Sequence, residues 1–312
     1  MKIYIETKPH PWVTWGHDLW KQNQNTKTAV KIVSVKSQAD TIMIEYDEND
    51  ETFNIGDEKK LIIYVESATI DGTYKLLELL EQKSKDDVLI LSDSLPIISE
   101  LAAHNWTVYK WNKPTRVPEH LLYVDHVETM NKTGGFVITS KGDRTKDNLG
   151  EILKTYFAMC LTDDPDNEGQ LVCMQDVDIF SAYDLPFETF NNINFHGLQP
   201  NPKMFKFIKN AKLFISPYQG DGIPINAVDA VMLGTPVLVR DTETNRSIFN
   251  WDERCFFRDD MELAKKIKYF AEIDVNSPEY VDLVRCGYNA IKWSHSASIS
   301  LIDLDNIIME KW

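Results

Sequence analysis

Two acids eight positions apart, Asp221 and Asp229, flank the start of an apolar helical run that opens with Gly222-Ile223-Pro224. Upstream lies a buried strand pattern, Leu213-Phe214-Ile215, and a turn at Ser216-Pro217. Downstream the run stops near Gly234, and Val237-Leu238-Val239 after Pro236 reads as a second buried strand. A strand, glycine loop, helix and strand in this order place backbone N–H groups and a helix N-terminus where an anionic ligand can sit. An isolated aspartate at position 221 would equally suit a turn or a helix cap.

The elements that must carry this unit alternate along the chain. Strand patterns fall at 2–7, 29–35, 41–46 and 61–65, then a helix at 73–82 with Leu76, Leu77, Leu79 and Leu80 on its apolar side. A strand at 88–91, a helix near 96–104 and a strand at 107–111 follow. Asn131-Lys132-Thr133-Gly134-Gly135 reads as a linker. A second alternation begins after it: strand 136–139, helix 149–158, strands 171–174 and 193–195, and helix 203–209. The tail from residue 261 has helical spacing at Leu263, Ile267 and Phe270. Alternation of this kind favours parallel sheets covered by helices on both faces. The expectation is α/β, two consecutive doubly wound domains facing a cleft.

Composition narrows the functional classes. The 312 residues carry a formal charge of -15 and are 43% hydrophobic. Such a charge argues against a broad nucleic-acid footprint or a polybasic membrane surface. The four cysteines are widely spaced with no CxxC pair, which fits neither a zinc site nor a disulfide frame. No apolar run reaches the ~18 residues of a membrane span, and the N-terminus lacks an apolar signal core. These features imply a cytoplasmic protein with no membrane insertion.

The stretch DGIPINAVDAVMLGTPV resembles the donor-sugar motif of retaining GT-B glycosyltransferases, E-G-x-P-x-x-x-x-E-A-x-x-x-G-x-P-V. Every spacing is kept; both glutamates are aspartates, which shortens each reach by one methylene. SKGDRTKDNL at 140–149 is similar to the family's S-R-x-D-x-x-K-N-L loop, with Lys141 for the usual Arg, Lys146 kept and Asp147 inserted. INFHG at 193–197 is similar to the V-x-F-x-G strand end that lines the base pocket. The segment 290–295, with Trp293, resembles the closing helix that crosses back to the N-terminal domain. The likeness covers roughly residue 136 onward.

The resemblance implies a GT-B fold of two Rossmann-like domains, 1–132 on the acceptor side and 133–290 for the donor, with 291–312 crossing back. It implies transfer of a hexosyl or pentosyl group from a nucleotide diphosphate sugar, a UDP-sugar, to a hydroxyl acceptor, with retention. The co-substrate is then the only small partner, without metal or further cofactor. Lys141, Lys146, Gly222 and Ile223 would meet the diphosphate, Asp221 the transferred sugar and Asp229 the ribose, while His196 and Gly197 would line the base pocket. On the acceptor side, Gly16 and His17 follow the first strand. Glu66 follows strand 61–65, where some family members place a histidine; no catalytic group carries over. The acceptor is open among glycan, protein, metabolite and hydroxymethylated phage DNA base (host cytoplasm in that case); the charge disfavours DNA unless Lys8, Lys21, Lys27, Lys31 and Lys36 form a groove.

Two rival readings remain at this stage. One is a non-catalytic sugar-nucleotide or glycan-binding protein, which the aspartates and the missing histidine would suit. The other, a sugar-nucleotide 2-epimerase, needs a cluster of acids with a histidine, and the N-terminal half shows no such cluster in sequence. Asp176-Val177-Asp178 has the spelling of a metal-binding DxD and reads as following a strand, but its neighbours fit the GT-B order better.

Overall fold

The structure is a computed structural model. It describes residues 1–6, 29–34, 36–48, 50, 53, 55, 60–66, 68–117, 121–123, 132, 134–140, 161–163, 171–173, 176–181, 193–219 and 223–312. The chain forms two compact units. Met1–Arg116 and Trp293–Trp312, with Ile223, make the first; Val117–Gly220 and Pro224–Lys292 make the second. Among the described residues no helix is long and apolar enough to cross a membrane.

The first unit holds a six-stranded parallel sheet: β1 Lys2–Glu6, β2 Lys31–Val33, β3 Thr41–Tyr46, β4 Leu61–Val65, β5 Val88–Ser92 and β6 Val108–Lys110. Their order is β2-β1-β3-β4-β5-β6. β4 and β5 are buried at every position, the continuous apolar pattern of strands covered on both faces. Helix α1, Ile70–Leu80, starts three residues before the sequence pattern suggests. Its start is fixed by Thr69, whose hydroxyl accepts from Gly72 N–H, while Glu48 Oε2 accepts from Thr69 N–H and Oγ–H, both at 2.6 Å. Helix α2, Leu95–Ala103, follows β5 directly.

The second unit's sheet is also parallel: β7 Phe136–Ser140, β10 Val177–Ser181, β11 Ile193–Phe195, β12 Leu213–Ile215, β13 Val237–Arg240 and β14 Phe256–Phe257. The order is β11-β10-β7-β12-β13-β14. Numbered within the unit this is 3-2-1-4-5-6, the dinucleotide-fold order, whose switch point lies between β7 and β12. Two short strands, β8 Leu161–Asp163 and β9 Leu171–Cys173, pair antiparallel outside this sheet. The strand expected at 171–174 is present as β9 but lies outside the six-stranded sheet, where β10 sits next to β7. Asp176-Val177-Asp178 consequently opens β10 and lies at the amino end of a strand, away from the carboxyl edge where ligands bind.

Helices of this unit are α3 Asn201–Asn210, α4 Ile225–Met232, α5 Glu243–Ile248, α6 Asp260–Glu272 and α7 Pro278–His295. α4 ends where sequence places its stop: Gly234 has φ of +78°, and a Cβ there would come within 2.7 Å of the Tyr123 ring. Both conditions favour glycine. Residues of α7 from Trp293 onward group with the first unit.

The last helix, α8 Ala297–Lys311, belongs to the core of the first unit. Leu301, Leu304 and Ile308 share one face at helical spacing and pack with Ile3, Ile5, Val30, Ile32, Ile62 and Leu91. Asp305 accepts from the N–H groups of Ala29 and Val30 at 3.2 and 2.7 Å, fixing the start of β2. Trp111 Nε1 donates to Ser300 O at 2.8 Å.

Candidate functional site

Two clusters lie at carboxyl ends of strands, one in each unit. In the second unit, Thr139 and Ser140 end β7 and Ser216 follows β12; all three are buried. Asn226, in the first turn of α4, donates from Nδ2 to Thr139 Oγ1 at 2.8 Å and so ties the helix start to the end of β7. Pro224 holds the cap position of α4 and has no side-chain group to cap it, and the first turn carries no acid. A helix start of this kind presents N–H dipoles to an anion. The first unit differs, since Thr69 and Glu48 already occupy the start of α1.

Asp229 sits one turn into α4 and is fully buried, as are Ala227 and Val228 beside it. Ile223 is buried too, at 4% exposure. At the edge strand, His196 follows β11. Its Nε2 lies 2.7 Å from Asp178 Oδ1, and its ring stacks on Phe180 at 4.7 Å and meets Phe207 at 4.8 Å. The ring is thus built into the sheet edge. Gly197, next along, is exposed, with φ of +61° and open space where a Cβ would be. Lys141, Lys146, Asp221, Gly222, Gly16 and His17 lie outside the described residues, as do Lys8, Lys21 and Lys27. Of the other two lysines of the supposed groove, Lys36 pairs with Glu6 at 3.1 Å.

The first unit gathers a cluster that sequence reading missed. Glu45 on β3, Glu66 just after β4, Asp93 just after β5 and Lys113 beyond β6 converge across four adjacent strands. Lys113 Nζ lies 2.9 Å from Glu45 Oε1 and 3.4 Å from Glu66 Oε2. Tyr64 on β4 donates to Asp93 Oδ2 at 2.5 Å. Among the described residues, Asp93 Oδ1 and the neighbouring Ser94 Oγ are buried without a hydrogen-bond partner. Such orphans are rare because each costs about 1–3 kcal/mol. Burial pushes the Asp93 carboxyl up to about 8; Tyr64 opposes this and Glu66 adds to it. Burial also raises Glu45, against the pull of Lys113. For Lys113 burial works downward, but Glu66 and Glu45 together hold the ammonium above its ordinary value.

These acids gather around a lysine and not a histidine, so the cluster is not the arrangement that a 2-epimerase needs. Only Glu66 was singled out in sequence. Each acid is separated from the next by some twenty residues or more, and parallel pairing brings them together. The readable signal was Asp93 itself, an acid between the buried strand 88–91 and a helix start.

Among the described residues no group of three His, Cys, Asp or Glu is placed to hold a metal ion.

Comparison with solved structures decides the architecture. HepE of Anabaena, solved with UDP and glucose, superposes with a TM-score of 0.66 at 8% identity, over 99% of both chains. The fold is GT-B. T4 phage BGT, solved with UDP and Mn2+, gives 0.55 at 13% identity, covering 100% of this chain and 99% of that one. TarM gives 0.59 at 13% identity over 86% of this chain, which spans only 54% of TarM. At the sequence level, residues 185–293 of this GT-B chain match the family described as glycosyl transferases group 1. That segment runs from the approach to β11 into α7 and contains the α4 motif. No curated protein gives a sequence match.

Proposed function

We propose that the protein transfers a sugar from a nucleotide diphosphate sugar to a hydroxyl acceptor. The observation that carries this reading is the start of α4 at Pro224 beside the switch point of a 3-2-1-4-5-6 sheet, within the segment that matches glycosyl transferases group 1. Breaking the glycosidic bond leaves negative charge on the diphosphate, and oriented N–H groups aimed at that charge lower the barrier. Lys141 and Lys146, which follow β7 in sequence, would supply cations to the diphosphate, and the reading needs no metal. UDP is the proposed nucleotide because HepE and BGT were both solved with it. Asp221 accepts from the sugar, Asp229 from the ribose, and Gly197 leaves room for the base. Transfer takes place in the cytoplasm; Cys255 and Cys286 are free thiols, as a reducing compartment allows.

Asp229→Ala is expected to weaken UDP binding by about 1–3 kcal/mol, the cost of leaving hydroxyls unpaired. Titration calorimetry with UDP checks it, and unchanged affinity in a folded variant removes the ribose assignment.

The motif resemblance implies retention. Asp93 favours a second reading, direct displacement with inversion, because its unpartnered oxygen is suited to take the acceptor's proton. NMR of the first-formed product from UDP-α-glucose separates the two. An α-linked product supports retention, and a β-linked product supports the Asp93 route.

A further inference from the structure

Tyr64 is fully buried, and its ring is held on several sides. Trp111 meets it edge-on at 5.4 Å, and Trp111 is itself pinned by its bond to Ser300. The Lys113 ammonium lies over the ring at 5.4 Å. The phenol therefore has one direction in which to point, and it points at Asp93 Oδ2. Burial, then Asp93 and Glu66, push the Tyr64 phenol well above its ordinary range, so it stays a donor at working pH. Among the described residues the other carboxyl oxygen, Oδ1, has no hydrogen-bond partner, and neither has Ser94 Oγ beside it at the start of α2.

We propose that Tyr64 is a positioning residue for sugar transfer, tying down Asp93 Oδ2 so that Oδ1 receives the acceptor's proton. This rests on the inverting reading above. In that step Oδ1 takes the hydroxyl proton and the hydroxyl oxygen's electron pair forms the new bond at the anomeric carbon. The bond from that carbon to the diphosphate breaks, its pair leaving with the diphosphate. A carboxyl held on one side only by a fixed donor loses rotational freedom without losing its basic oxygen. Among the described residues, the charged groups acting on Asp93 are Glu66, just after β4, and Lys113, beyond β6, with Glu45 on β3 paired to Lys113. Removing the Tyr64 hydroxyl takes away the hydrogen bond that favours the carboxylate and leaves Glu66 opposing it.

Tyr64→Phe and Asp93→Asn test this in the full chain, with UDP-glucose as probe and UDP release to water as readout. For Tyr64→Phe, kcat is expected to fall about tenfold with KM within about twofold. The acid limb of its pH profile moves to higher pH. Carbon-13 NMR of labelled aspartates, with Asp93→Asn assigning the signal, should show Asp93 titrating at higher pH in Tyr64→Phe. This second arm needs no turnover. An Asp93 titration unmoved by Tyr64→Phe overturns the proposal whatever the donor. An Asp93→Asn variant with wild-type UDP release defeats the inverting reading instead. An inactive Asp93→Asn beside a Tyr64→Phe with an unmoved profile defeats the positioning role alone.

Discussion

Ending the chain at Ser296 is expected to unfold the first unit. The lost helix, α8, contributes Leu301, Leu304 and Ile308, all at 0–1% exposure in the core beneath β1, β2, β4 and β5. At roughly 1.5–3 kcal/mol for each fully buried aliphatic side chain, their burial is worth about 5–9 kcal/mol. That is comparable with the whole stability of an ordinary domain, about 5–15 kcal/mol. The truncation also strips the Asp305 carboxylate from Ala29 and Val30, and the Ser300 carbonyl from Trp111. Circular dichroism and thermal melting of the truncated chain check this. The milder Leu304→Ala should remain folded but lose about 2–5 kcal/mol. A truncated chain with the melting transition of the full one would mean that α8 is not part of this core.

The second large effect is expected at Asp93. Replacement by Asn keeps the shape and the acceptor oxygen for Tyr64 but removes the base. On the inverting reading, turnover falls about 10²–10⁴-fold, the usual contribution of a positioned general base. UDP affinity should stay within about twofold, since Asp93 is not among the residues proposed to hold the diphosphate or the ribose. Steady-state UDP release with calorimetry on the same preparation measures both quantities. A variant that keeps more than about a tenth of wild-type turnover would leave retention as the standing course.

Much of the architecture was legible because buried parallel strands announce themselves as apolar runs. Leu61–Val65 and Leu213–Ile215 lie where the pattern put them, and α4 begins at Ile225 and stops before Gly234 for the steric reasons visible in sequence. The strand next to β7 was not legible. Leu171–Cys173 is apolar and reads as a strand, whereas β10 carries an acid at Asp178 and drew no strand assignment. The fold keeps that acid in a strand by giving it His196 and Asn194 as partners, neither of which is near it in sequence. For the same reason the cluster of Glu45, Glu66, Asp93 and Lys113 was invisible. Its members are united only by the lateral order of β3, β4, β5 and β6. The strands and helix that carry the motif resemblance, β12, α4 and β13, were legible because they follow one another directly in sequence.

The central claim is that a nucleotide diphosphate sugar binds this chain, and a thermal-shift panel of UDP-, GDP-, ADP- and CMP-sugars, with and without a divalent cation, tests it most directly. Saturation at a hundred times Kd adds about 2.7 kcal/mol of stability, enough to move a melting transition by several degrees. A shift is expected with UDP-sugars, independent of the cation and reduced in Asp229→Ala. No shift with any of the four nucleotides would contradict it.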